Sequence, residues 1–310
     1  MNDAANSIAT IVATKVLSPL MAVLWAAFFN FAAVFFFGVH VATMIGKGIV
    51  DPSIIDEYII LGALIGSIVW VYGCTYFGLP ISASHALIGG LMGPAIIAGG
   101  TEVLIQDGII KVLAFIILSP LIGIILGFLI MILTMTIFRK CSPRRIDSLF
   151  RILQLASSAV FSIGHGSNDA QKTMGIIAVL LFSTGKLGTE FYVPMWVIFS
   201  CYITITLGTL TGGWRVIKTL GLGLTHLKPV QGFCAELSGA ITIIGSTLGG
   251  IPVSTTHTIT GSIMGVGMTR RLSSVRWSIA TNIILAWILT IPGTMILSGG
   301  FYWLISLLQA

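Results

Sequence analysis

The stretch GLPISASHALIGG at residues 78–90 recurs as GIPVSTTHTITGS at residues 250–262, an offset of 172 residues. The same offset aligns AFIILSP at 114–120 with AWILTIP at 286–292. A second pair, NDAAN at 2–6 and NDAQK at 168–172, is separated by 166 residues, and the six-residue difference is one that a loop absorbs. The chain therefore reads as two copies of one unit, and self-similarity of this kind decides the architecture before any single motif does.

Composition says what kind of unit is duplicated. Of 310 residues, 56% are hydrophobic and 8% charged, with a mean hydropathy of +1.03, whereas soluble chains carry roughly 25% charge. The 36 glycines suit helices packed closely in lipid better than the alternating, turn-rich segments of an outer-membrane barrel. The expected class is an all-α polytopic membrane protein. Apolar runs fall at about 4–17, 20–45, 58–78, 82–99, 108–138, 151–182, 194–213, 230–249, 255–268 and 277–308, which at about 20 residues per span predicts roughly ten crossings. MNDAANSIAT lacks a basic stretch followed by an apolar one, so no cleavable signal is expected. Cys74, Cys201 and Cys234 lie in or beside apolar runs and Cys141 in a basic stretch, with no metal-type spacing, so all four read as reduced packing residues.

Charge orients the bundle. Arg139, Lys140, Arg144, Arg145 and Arg151 stand against a single Asp147, a cytoplasmic signal. Arg215, Lys218 and Lys228, then Arg270, Arg271 and Arg276, join them, while Asp51, Asp56 and Glu57, Glu102 and Asp107, and Lys186 and Glu190 fall on the opposite face by alternation. These connections account for the formal charge of +6 and leave no basic patch for nucleic acid. The run entering the first GxPxS string starts from the acidic side at Asp56, whereas its copy starts from the basic side at Lys228. The copies are thus expected to be inverted: residues 1–138 form the first repeat, 139–151 a basic cytoplasmic loop and 152–310 the second repeat. Inverted repeats with broken helices and re-entrant, hairpin-like segments are the means by which secondary transporters build a midplane site.

Each GxPxS string reads as a break followed by a helix start. Proline ends a helix, serine and threonine cap the next one, and the first N–H groups attract anions. Ser82 and Ser84 in one copy and Ser254, Thr255 and Thr256 in the other are the candidate donors to a tetrahedral oxyanion, with His85 and His257 behind them in supporting roles. Asp3 and Asp169 lie inside apolar runs, where carboxylates are functional by default. Together with Asn2, Asn6 and Asn168 they are hard oxygen ligands suited to sodium or a proton. The run 151–182 is too long for one span and is expected to break near Gly164 and Gly166. Lys172, three residues beyond Asp169, is the alternative partner that would neutralise it, a pairing the first copy lacks because Asn6 stands there.

Taken together, NDAANSIAT at 2–10, HGSNDAQKTMG at 165–175, GLPISASH at 78–85 and GIPVSTTH at 250–257, with LSPL at 118–121 and LSGGFYWL at 297–304, resemble the inorganic phosphate transporter (PiT) family. The resemblance implies uptake of inorganic phosphate with sodium ions or protons across the cytoplasmic membrane by alternating access, without an organic cofactor and without catalysis. It implies that Asn2, Asp3, Asn168 and Asp169 line the midplane, that Asp3, Asp169 and the hydroxyl clusters approach phosphate, and that Gln171 and Lys172 lend support. Relatives ordinarily carry an apolar, small-residue segment ahead of the first ND motif, whereas here Asn2 follows Met1 at once, so the first broken helix is expected to lack its first half. The hydrophilic domain many relatives insert between the halves is reduced to 139–151. Sulfate, with the same shape, and a neutral metal–phosphate complex are the alternative cargoes, and homo-oligomerisation is left open. Two other classes compete: an intramembrane metal hydrolase using His85, His165 and His257, which lacks HExxH spacing, and a passive channel, which would show flux without ion coupling.

Overall fold

The computed structural model describes residues 2–308. Met1, Gln309 and Ala310, at the outer ends of the two expected repeats, lie outside the described residues. Twelve α-helices make up most of what is described. The first six are α1 (Ala4–Ala13), α2 (Pro19–Ala32), α3 (His40–Gly48), α4 (Glu57–Tyr76), α5 (Ala83–Gly99) and α6 (Gln106–Ile137). The second six are α7 (Pro143–Ser183), α8 (Met195–Leu210), α9 (Trp214–Lys218), α10 (Pro229–Leu248), α11 (Thr255–Met268) and α12 (Trp277–Leu307). α4 and α10 are each 20 residues long, and the chain bends by 83° between α2 and α3 and by 68° where α8 meets α9.

Four helices are long and apolar enough to cross a membrane, or up to six if each bent pair is one span. That is fewer than the ten crossings expected from apolar runs. The runs beginning at 82 and 255 form helices of only 17 and 14 residues, and the run 20–45 is divided by the bend. The outer surface fits lipid: Phe28, Tyr72, Ile117, Leu129, Leu207 and Ile288 are all exposed. The interior is unusually polar, with Asn6, Gln154, Asn168, Lys172, Glu236 and His257 all buried. Such polarity is tolerated only where each group finds a partner or serves a site.

Two expectations are corrected. The basic stretch 139–151 is a loop only to Ser142, because Pro143 at the first helical position starts α7 and residues 143–151 are its opening turns. Nor does α7 break near Gly164 and Gly166; it is one 41-residue helix. Gly166 is small for another reason: a β-carbon there would lie 2.6 Å from the carbonyl oxygen of Asn30, so the residue admits close approach of α2.

The halves are interlocked. α12 packs most closely on α5 and α4, and α6 packs most closely on α11 and α10, so the last helix of each half covers the hairpin of the other. Small residues make these contacts. A β-carbon at Gly89 or Gly93 of α5 would collide with the carbonyl oxygens of Ile291 and Met295, and one at Gly261 or Gly265 of α11 with those of Pro120 and Ile124. This is small-xxx-small packing, used once in each copy.

Candidate functional site

The GxP element has a definite local function in both copies. Gly78 and Gly250 adopt φ of +72° and +67°, the left-handed conformation that glycine takes without steric cost. Each closes a Schellman motif: Leu79 N–H donates to Cys74 O at 2.9 Å in one copy, and Ile251 N–H to Ser246 O at 2.9 Å in the other. After the break, Ser82 Oγ accepts from His85 N–H and Ser254 Oγ from His257 N–H, both at 3.2 Å. Ser82 and Ser254 are therefore N-caps of α5 and α11, each accepting one backbone N–H.

The two helix starts meet. The rings of His85 and His257 are 4.7 Å apart and edge-on, and His257 stacks on Trp287 at 3.7 Å. Trp287 in turn donates to Pro80 O at 2.9 Å, tying α12 to the first break. The histidines pack the junction, with His257 Nδ1 also 3.4 Å from Ile116 O.

Around this junction the ND motifs supply a connected polar network. Asn6 Nδ2 donates to Thr256 Oγ1 at 2.9 Å and to Thr255 Oγ1 at 3.1 Å. Thr256 donates onward to Asp3 Oδ1 at 3.3 Å, and Thr255 to Asp169 Oδ2 at 2.9 Å. Asp3 and Asp169, 166 residues apart in sequence, are thus joined through one asparagine and two adjacent threonines. Asp169 also lies 2.6 Å from Lys172 Nζ and 3.1 Å from His165 Nε2, so the pairing the sequence offered as an alternative is formed. Asn168 donates to Thr247 at 2.8 Å. Gln171 Oε1 accepts the N–H of Val41 at 2.9 Å and so holds the first turn of α3 just past the bend.

Several oxygens in this region remain uncommitted. The side-chain carbonyls of Asn2, Asn6 and Asn168 are buried and have no hydrogen-bond partner among the described residues. A buried carbonyl without a donor costs about 1–3 kcal/mol, unless a cation or another group supplies the missing charge. A cleft of about 510 Å³ is lined by the neighbouring Asp3 and Asp169, by Ser84, His165, Lys172 and Thr209, and by apolar side chains. Of the predicted anion donors, Ser84 reaches this cleft, whereas Ser82 and Ser254 cap helices and Thr255 and Thr256 bind the aspartates.

Glu236 escaped the motif reading. It is 1% exposed on α10, accepting from Thr10 at 2.6 Å, Gln154 at 3.0 Å and Ser157 at 2.5 Å. The signal was available, since a carboxylate alone in the apolar run 230–249 meets the same criterion that singled out Asp3 and Asp169.

The chain's likeness to known proteins is consistent over its length. The model of the phosphate transporter family matches residues 1–298. A probable low-affinity inorganic phosphate transporter of Rhizobium meliloti (strain 1021) is 53% identical over 97% of this chain and 90% of its own. A protein of the same description from Bacillus subtilis (strain 168) is 40% identical over 99% of this chain and 92% of its own. Among solved structures, one titled "The sodium-dependent phosphate transporter" superposes with a TM-score of 0.90 at 26% identity, covering 99% of this chain and 94% of that one. These relatives are named as transporters, not as enzymes.

Proposed function

The chain belongs to the phosphate transporter family, and from that premise we propose that this multi-pass membrane protein is a symporter that brings inorganic phosphate into the cell with a coupling cation. The observation that carries the reading is the convergence of both ND motifs, through Asp3 and Asp169, and of the first hydroxyl-rich helix start, through Ser84, on one cleft, with Thr255 and Thr256 of the second helix start hydrogen-bonded to the same two aspartates. Phosphate sits in that cleft against Ser84, Lys172 and the first turn of α5, whose unpaired N–H groups carry partial positive charge. Asp3 lines the same cleft, and monohydrogen phosphate has a proton to donate to a carboxylate where sulfate has none. That difference favours phosphate over sulfate as cargo.

The oxygens that draw a coupling cation are those of the two ND motifs, Asn2, Asp3 and Asn6 in the first and Asn168 and Asp169 in the second. Sodium fits this set of hard oxygens, and the neighbouring structure bears a sodium-dependent title. The two halves, residues 1–138 and 152–310, act as inverted repeats in the cytoplasmic membrane, with the basic connections inside. Supporting this are the matched bends, the paired Schellman motifs and the reciprocal packing of α6 and α12. Rocking of one half against the other exposes the cleft to each side in turn.

The test is phosphate uptake into proteoliposomes with sodium and proton gradients imposed separately, with and without divalent metal ions. Accumulation driven by one gradient and saturating with phosphate supports the reading and excludes a passive channel. Strict dependence on a divalent ion would make a metal–phosphate complex the cargo. Accumulation of labelled sulfate with no uptake of phosphate would sink the proposal.

A further inference from the structure

The two ND motifs part at one position: Asn6 in the first copy is Lys172 in the second. The difference is chemical. Asn6 offers a buried carbonyl oxygen with no partner, a ligand for a cation that arrives from outside. Lys172 brings a cation of its own. Its Nζ lies 2.6 Å from each of Asp169 Oδ1, Ser84 Oγ and the carbonyl oxygen of Val253. An ammonium has three donors, and all three are engaged, by a carboxylate of α7, a hydroxyl in the first turn of α5 and a backbone carbonyl at the break before α11. Carboxylate, hydroxyl and carbonyl oxygens form the kind of hard set that surrounds a bound metal cation.

The surroundings differ in the same sense. One helical turn beyond Asn6, Thr10 bonds Glu236. At the matching positions of the other copy stand Ile176 and Leu64, both packed in an apolar cluster. The first motif thus has a second buried carboxylate one turn beyond it, while the second keeps the polar neighbours His165, Asn168 and Gln171 but has apolar residues at those two positions and the lysine as its cation.

We propose that Lys172 is a tethered coupling cation: its ammonium holds, at the second motif, the place that an exchangeable cation takes at the first, so the protein uses one exchangeable cation position where its duplicated framework provides two. The inference deepens the symport reading and rests on it. Lys172 also touches Ser84, which lines the cleft proposed to hold phosphate, so its ammonium lies beside the anion as well as beside Asp169.

The experiment is equilibrium binding of radiolabelled phosphate to the purified, full-length protein, titrated with sodium against choline. In the wild type, binding is expected to rise with no more than the first power of sodium concentration. Lys172→Asn, which restores the oxygen found at Asn6, is expected to weaken binding roughly tenfold or more without sodium, a factor that corresponds to about 1.4 kcal/mol. It is expected to recover with sodium, to add one power to the sodium dependence, and to gain sodium-dependent thermal stabilisation beyond that of the wild type. Lys172→Met, with no oxygen to offer, is expected to lose binding without recovery.

A second-power sodium dependence in the wild type overturns the proposal, and this arm stands even if the variants do not fold. Unchanged sodium dependence in monodisperse Lys172→Asn, or sodium rescue of Lys172→Met, overturns it as well. Failure of the underlying symport reading looks different, because the wild type would then bind no phosphate with any cation.

Discussion

Thr10 of α1 donates its hydroxyl to Glu236 of α10 at 2.6 Å, across 226 residues of sequence. Around that bond Gln154 and Ser157 of α7 complete a buried polar knot, and Thr14 donates to Gln154 at 2.9 Å. Three helices are thereby held in register beside the first ND motif. Glu236→Leu strands the hydroxyl of Thr10 and the side-chain amide of Gln154 without their acceptor. The expected cost is about 1–3 kcal/mol for each group left unpaired, with Glu236→Gln less damaging. Thermal unfolding in detergent checks the order, and equal melting temperatures for the wild type and both variants would contradict it.

Asp169 binds Lys172, His165 and Thr255 at once. Asp169→Asn removes the counter-charge of a lysine that is 2% exposed while keeping the volume. Coupled phosphate uptake is expected to be abolished, with expression and membrane insertion retained. Normal accumulation of phosphate by that variant would remove Asp169 from the coupling site.

The helix caps separate anchoring from binding. Ser82→Ala and Ser254→Ala are each expected to destabilise by about 1 kcal/mol through loss of the cap, and Ser254→Asn, another strong cap, to recover most of the loss. Ser84→Ala, which deletes a hydrogen-bond partner of Lys172, is expected to raise the KM for phosphate more than either. A larger KM effect from the cap variants would return Ser82 and Ser254 to direct contact with the anion.

Interlocking of the halves rests on glycines. Gly93→Leu and Gly265→Leu push α5 off α12 and α11 off α6, respectively, because each side chain would have to occupy the place of a carbonyl oxygen. Overpacking typically costs 1–3 kcal/mol, occasionally more. Gly73→Leu is the control, since nothing lies within 4 Å of a β-carbon there. Size-exclusion profiles and melting curves should show both packing variants impaired and the control unaffected.

Much of the framework was legible because it is local or repeated. The pattern G-x-P-x-S dictates a helix stop, a turn through positive φ and a capped helix start, and these are short-range events complete within about eight residues. Its two occurrences carried the same instruction to both halves. The solitary carboxylates Asp3 and Asp169 stood out because charge is costly in an apolar run. Two local inferences nonetheless failed. Gly164 and Gly166 read as a break in α7, yet glycine in a helix serves equally to admit a neighbour, and only the position of Asn30 decides between these uses. Fewer of the apolar runs than expected form helices long enough to cross alone, since those beginning at 82 and 255 give helices of only 17 and 14 residues.

By itself the sequence determined the class, the duplication, the breaks and the intramembrane polar residues, all of which follow from composition, spacing and short-range backbone chemistry. The tertiary structure decided which of those polar groups meet: that Ser82 and Ser254 cap helices, that Asn6 bridges to Thr255 and Thr256, and that Lys172 is held by oxygens from three separate segments. Such partnerships depend on helices distant in sequence arriving at one point, and a hydrogen bond is set by distances of a few tenths of an ångström that residue spacing does not encode.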